Sequence, residues 1–140
     1  MNLDLDPDLD LVLKRRVNAP RHLLYQCWTR EEHIPHFFVP RPHRVTACRL
    51  DPRVGGAFDT TFDIDGNVME NKGVFLDLRE NERLVFTDAY SEGWKPAPDP
   101  FMTAIVLFED AGDGRTDYTA IARHRSPEAA EQHRAMGFHD

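Results

Sequence analysis

The sequence predicts an α+β domain dominated by about seven antiparallel strands, with two short helices after the first strand and a further helix near the carboxy-terminal end. Three observations carry that expectation. From Val45 onward, apolar and polar residues alternate with a period of two over several separate runs. Asp65-Gly66 and Gly112-Asp113-Gly114 are turn signals that fold one strand back on the next. Ahead of that region, Leu23, Leu24, Cys27 and Trp28 fall at helical spacing.

The elements follow in order. Leu9, Leu11 and Leu13 alternate with Asp8, Asp10 and Val12 up to Val17, which makes a half-buried first strand after a polar tail over residues 1–7. Asn18-Ala19-Pro20 ends it, and Pro20 suits the start of a helix whose stripe packs on the sheet. Thr29 followed by Glu32 has the form of a capping box, predicting a second short helix that Pro35 kinks or cuts before Phe37 and Phe38. Strands are then expected over 45–50 and 57–64, the latter with Phe58, Thr60, Phe62 and Ile64 on one face. A single strand over 67–78 should return from the Asp65-Gly66 turn, followed by strands from Arg83, over 102–108 and over 115–125. Ser126 caps and Pro127 opens a last helix running to about Ala135.

Composition narrows the function. One domain accounts for 140 residues, and a net charge of −7 argues against nonspecific attraction to nucleic acid or to an anionic membrane. The acidic start, Met-Asn-Leu-Asp-Leu-Asp-Pro-Asp, lacks the features of a secretory signal, so a cytoplasmic location is expected. Cys27 and Cys48 lie in apolar segments without metal or redox spacing and read as reduced, buried thiols. Ser91 and Ser126 lack a nucleophile-elbow context, and Gly55-Gly56 lacks the Lys-Ser/Thr of a phosphate loop. His33, His36 and His43 are close in sequence, but Pro35 interrupts their helix and no acidic ligand follows, so neither a metal site nor a cofactor is expected.

The most unusual stretch runs from Arg83 to Ala104. Two apolar strands flank a loop in which Pro96, Pro98 and Pro100 stiffen the backbone while Gly93 turns it beside Tyr90, Trp94 and Phe101. That is more chain than a hairpin needs, and it reads either as a lid or mouth or as a loop that covers one end of the core.

Asn18-Ala19-Pro20, Cys27-Trp28-Thr29 with Glu32-His33, Arg53-Val54-Gly55-Gly56, Asn71-Lys72-Gly73-Val74-Phe75, Leu84-Val85-Phe86-Thr87-Asp88-Ala89, Pro100-Phe101-Met102-Thr103-Ala104 and His133-Arg134-Ala135-Met136-Gly137-Phe138 together resemble the homologues of the activator of heat-shock protein 90 ATPase. These belong to the START-like (SRPBCC, birch-pollen-allergen-like) superfamily, and the resemblance covers nearly the whole chain. It implies a helix-grip fold, a curved antiparallel sheet wrapped on a long carboxy-terminal helix with an apolar cavity between them. Similar proteins continue beyond the Met136-Gly137-Phe138 block into that helix, whereas this sequence stops at Asp140. Burying such a helix contributes on the order of 10 kcal/mol. The expectation is therefore either a longer protein or a partner subunit over the concave face.

Three functions are then in play. The first is binding of a small hydrophobic or aromatic ligand, without covalent chemistry, by Trp28, Phe37, Phe38, Phe58, Phe62, Phe86, Tyr90, Trp94, Phe101 and Met102. Any one of these is more often plain core, but as a group they favour a cavity. The second is a chaperone-interacting module, with a chaperone or a second copy as partner. The third is a polyketide cyclase or hydratase using Tyr90 with a nearby carboxylate, drawing on the ionisable candidates Tyr90, Asp88, Glu70, Arg49 and His124. No residue set announces catalysis, and none is assigned as catalytic.

Overall fold

A computed structural model of the chain describes residues 3–38, 44–136 and 138. Strand β1 (Asp10–Val17) leads into helix α1 (Arg21–Thr29) and a short 3-10 turn (Ile34–His36). Strands β2 (Arg44–Leu50), β3 (Phe58–Ile64) and β4 (Asn67–Asn71) form a three-stranded sheet in the order β2-β3-β4. Strands β5 (Val74–Arg79), β6 (Arg83–Thr87), β9 (Met102–Gly112) and β10 (Arg115–His124) join β1 in a five-stranded sheet, order β1-β10-β9-β6-β5. Between β6 and β9 lies the small pair β7 (Tyr90–Ser91) and β8 (Lys95–Pro96), and helix α2 (Pro127–Ala135) follows β10. Every pairing is antiparallel. This is the α+β helix-grip architecture that the sequence predicts.

The two larger sheets are stitched together at one point. Ala57 bridges Val74, the Phe58 N–H donates to the Gly73 carbonyl at 2.9 Å, and the Phe75 N–H donates to the Gly56 carbonyl at 2.9 Å. The bend occurs where the sequence predicts one unbroken strand over 67–78; the chain instead breaks at Lys72-Gly73 into β4 and β5. Gly73 explains the break, because a Cβ there would stand 2.5 Å from the Thr87 carbonyl oxygen and 3.2 Å from that of Phe58. Only a glycine lets the backbone pass between two neighbouring strands so closely.

The second helix also differs from expectation. The Thr29 hydroxyl donates back to the Tyr25 carbonyl at 2.9 Å, so it finishes α1 instead of capping a new helix. With Pro35 in its first turn, the following segment reaches only three residues of 3-10 helix. Ser126 behaves as predicted: its Oγ accepts the Ala129 N–H at 3.2 Å and Pro127 opens α2.

Alternation along β6, β9 and β10 sends side chains to two sides of the sheet. Leu84, Phe86, Ala104, Val106 and Phe108 join Trp28, Ile34, Phe58 and Phe75 in the main core. Val85, Ile105 and Ile121 form a second cluster on the other side, against which Val12, Leu76, Leu107 and Leu3 pack. The amino-terminal tail is thus partly apolar cover. It is anchored where Asp10, only 7% exposed, accepts from Arg123 at 3.2 Å.

A candidate ligand cavity and its relatives

The main core does not fill its own side of the sheet. A cavity of about 850 Å³ remains, and its lining shows why. Its floor is built from small residues: Val106 pairs with Ala120 and Ala104 with Ala122 across β9 and β10, with Leu13 of β1 opposite Ala120. Of these, Ala120 is half-buried and faces the open space, while Ala104, Val106 and Ala122 are covered, at 7%, 1% and 1% exposed. Helix α1 lies across this floor and turns Leu24, Cys27 and Trp28 toward it, three positions at i, i+3 and i+4 that share one face. Leu23, expected in that stripe, is instead 45% exposed.

The walls are aromatic. Phe38 lies between Trp28 at 5.8 Å, Phe58 at 5.6 Å and Phe62 at 5.8 Å. Phe58 and Phe86 stack nearly parallel at 4.0 Å, and Trp28 meets Phe37 edge-on at 4.9 Å. Such contacts hold rings in fixed orientations and keep the wall from collapsing inward. Exposed Phe37, Lys72 and Met136 mark where the cavity reaches solvent.

Of the ten predicted site residues, Trp28, Phe37, Phe38, Phe58, Phe62, Phe86, Phe101 and Met102 line the cavity. Tyr90 and Trp94 do not. They are 40% and 51% exposed, edge-on to each other at 6.0 Å, with the Trp94 ring against Gly55. The backbone is the cause: Gly93 (φ 85°) and Trp94 (φ 59°) turn tightly, so β7 and β8 pair with each other. Glu92 then ties the turn to Arg49 of β2 through two 3.2 Å bonds. The expected lid is therefore a side flap, and of its three aromatic residues Phe101, at its far end, reaches the cavity.

The ionisable candidates separate in the same way. Arg49 is exposed and paired with Glu92 and Asp59, and Glu70 is exposed on β4. Asp88 lines the cavity, but its carboxylate accepts the backbone N–H groups of Phe101 and Met102 at 2.9 and 3.1 Å, which fixes the loop end. His124 is 6% exposed, with Nδ1 2.8 Å from the Leu9 carbonyl and Nε2 2.9 Å from His133 Nδ1. A carbonyl only accepts, so His124 donates from Nδ1, and its Nε2 is left to meet His133. His133, from α2, lines the cavity; His124 supports it from behind.

Sequence reasoning passed over Tyr118. It lines the cavity, and burial pushes its phenol up to about 12, with the nearby Trp28 side chain working against the rise and Cys27 adding to it. Tyr118, Ala120 and Ala122 alternate along β10, so period-two reading puts all three on one face. Burial also raises the Cys27 thiol, and burial with Glu31 and Asp59 raises Cys48 to about 11, so neither is poised as a thiolate. Among the described residues no group of three or more His, Cys, Asp or Glu is placed to hold a metal; His43 lies outside them, as does the side chain of His36. No helix of the described chain is long and apolar enough to cross a membrane.

A bent antiparallel sheet whose hollow is crossed by short helices defines a START-like, helix-grip domain. The sequence is specific enough to go further: residues 18–140 match the family described as "Activator of Hsp90 ATPase homolog 1-like protein", and the chain belongs to it. A crystal structure of a protein from Nitrosomonas europaea is 37% identical, with a TM-score of 0.90 over 97% of this chain and 88% of that one. A Mycobacterium smegmatis protein is 25% identical, with a TM-score of 0.75 over 98% of this chain and 86% of that one. A Rhodobacter sphaeroides protein at 15% identity, covering 98% and 87%, shares the fold with a TM-score of 0.76. No protein of curated function matches the chain.

Proposed function

We propose that this domain binds a small hydrophobic or aromatic molecule in its cavity and holds it without covalent chemistry. The observation that carries the reading is the 850 Å³ hollow itself, floored by alanines and walled by stacked rings. Close-packed interiors hold few voids larger than a water molecule, so a hollow of this size that aromatic contacts prop open is a binding feature. The ionisable lining supports carriage over catalysis: Asp88 is occupied by backbone amides and Tyr118 stays protonated.

A fluorescent apolar probe, N-phenyl-1-naphthylamine, tests this by titration. Wild-type protein should bind one equivalent, and Ala120→Trp, which fills the floor, should weaken binding at least about tenfold. Thr119→Trp, one residue along and on the opposite side of the strand, should leave it unchanged. Equal binding by wild type and Ala120→Trp would show that the hollow is not the site.

One observation favours a second reading. Val54, Tyr90 and Trp94 are 57%, 40% and 51% exposed, and the Tyr90–Trp94–Gly55 contacts place the flap against the turn that follows β2. An exposed Trp held at positive φ suits a protein-docking knob, in keeping with the ATPase activation in the family description. Trp94→Ala should then abolish any stimulation of a heat-shock protein 90 ATPase while leaving probe binding intact; stimulation that survives the substitution counts against it.

A further inference from the structure

Given that the hollow is a binding site, the distribution of its polar groups says how a guest lies in it. The register Leu13–Ala120–Val106 crosses β1, β10 and β9, and among the described residues none of the lining side chains on those three strands is charged. The opposite edge of the same sheet is β5, and there the lining turns polar. Thr60 and Asn71 are partners across β3 and β4, so their side chains share the face that carries Phe58 and Phe62. Lys72 and Gly73 carry the chain on into β5, where Val74 pairs with Thr87, the neighbour of Asp88. Thr60, Asn71, Lys72, Thr87 and Asp88 all line the cavity at this end.

At this polar end the acceptors are in use and donors are left over. The Asp88 carboxylate accepts the Phe101 and Met102 N–H groups, and Thr87 Oγ1 accepts the Ala89 N–H at 3.1 Å and lies 2.9 Å from the Thr103 hydroxyl. Asn71 Nδ2, by contrast, is closed to solvent and has no hydrogen-bond partner among the described residues. A buried donor in that state costs free energy until an acceptor reaches it. Lys72, next in the chain and exposed, is held by no ion pair among the described residues. The nearby acids of β3 and β4 face away: Glu70 stands opposite Thr61 on the other side of the sheet, and Asp59, on that same side, is bridged to Arg49 at 3.8 Å. We infer that the guest is an amphipathic monocarboxylate lying across the sheet, its apolar body over the β9–β10 floor and its carboxylate at the Asn71–Lys72 end. One ammonium and one amide donor match a single negative charge, not the two of a phosphate monoester. A turn of the Asn71 side chain brings Nδ2 out of its closed position to a carboxylate oxygen, and the Lys72 ammonium balances the charge at the mouth.

The probe pair 2-naphthoate and 2-naphthamide tests this at neutral pH, since the two share a shape and differ in charge and in one acceptor oxygen. By calorimetry, wild type should bind naphthoate at least about fivefold more tightly than naphthamide. Asn71→Asp keeps the side chain's shape, puts a negative charge in place of the donor, and should abolish that preference. Lys72→Met, at an exposed position, should reduce it about threefold. Neither substitution should change the Kd of N-phenyl-1-naphthylamine, which carries no carboxylate and reports that the cavity is intact. A preference that survives either substitution overturns the inference. Wild type that binds N-phenyl-1-naphthylamine without preferring naphthoate overturns it too and leaves the cavity reading standing, whereas wild type that binds none of the three overturns both.

Discussion

Two aromatic regions of this molecule have similar composition and opposite fates. Around α1 and the 3-10 turn, Trp28 and Phe38 point to the sheet and meet Phe58, Phe62 and Phe86, with Phe37 against Trp28 at the cavity's exposed edge. In the flap, Tyr90 and Trp94 meet each other and stand in solvent. Aromatic content therefore says little about which stretch makes a site; the path of the backbone decides. An α-helix repeats the same face every three to four residues and delivers three side chains together. The flap turns back within a few residues, and its own pairing with the Arg49–Glu92 bridge fixes it beside β2.

Substitutions on the two sides should sharpen that contrast. The largest effect belongs to Phe86→Ala, since Phe86 is 5% exposed and stacked at 4.0 Å on Phe58. Urea unfolding should show a loss of about 3–5 kcal/mol. A loss near that of a surface change would mean that the wall is not packed as described.

Next comes the alkaline limb of stability. The Tyr118 phenol is raised from 10.0 to about 12, so the folded state holds its proton more tightly than the unfolded chain. That contribution is fully present below pH 10 and should be lost as pH rises toward about 12. Thermal melts from pH 9 to 11.5 should show a steeper decline for wild type than for Tyr118→Phe; parallel declines would place Tyr118 in water. The smallest effect should come from Trp94→Ala. With Trp94 51% exposed, its removal should cost less than about 1 kcal/mol and leave probe affinity unaltered, whereas weakened probe binding would return the flap to the cavity.

What the sequence made legible was mostly local. Asp65-Gly66 turns with φ of 54° and 85°, conformations its residues favour, and the Ser126 cap needs only the three residues after it. Alternation placed Phe58, Thr60 and Phe62 toward the cavity for the same reason. The failures came from distant neighbours. The run 67–78 reads as one strand because nothing within it announces the Thr87 carbonyl that Gly73 must pass. Thr29 and Glu32 match a capping box, yet the Tyr25 carbonyl takes the Thr29 hydroxyl first. The cavity floor is a different kind of omission. Ala104, Ala120 and Ala122 were visible, but small residues signal a hollow only once their strands are known to be adjacent.

The claim on which the rest depends is that the space above those alanines holds a guest. Native mass spectrometry of gently purified wild-type protein and of Ala120→Trp tests it directly. The account predicts a noncovalent adduct of small-molecule mass on the wild type that is absent from the variant. Adducts of the same mass and occupancy on both proteins would contradict it.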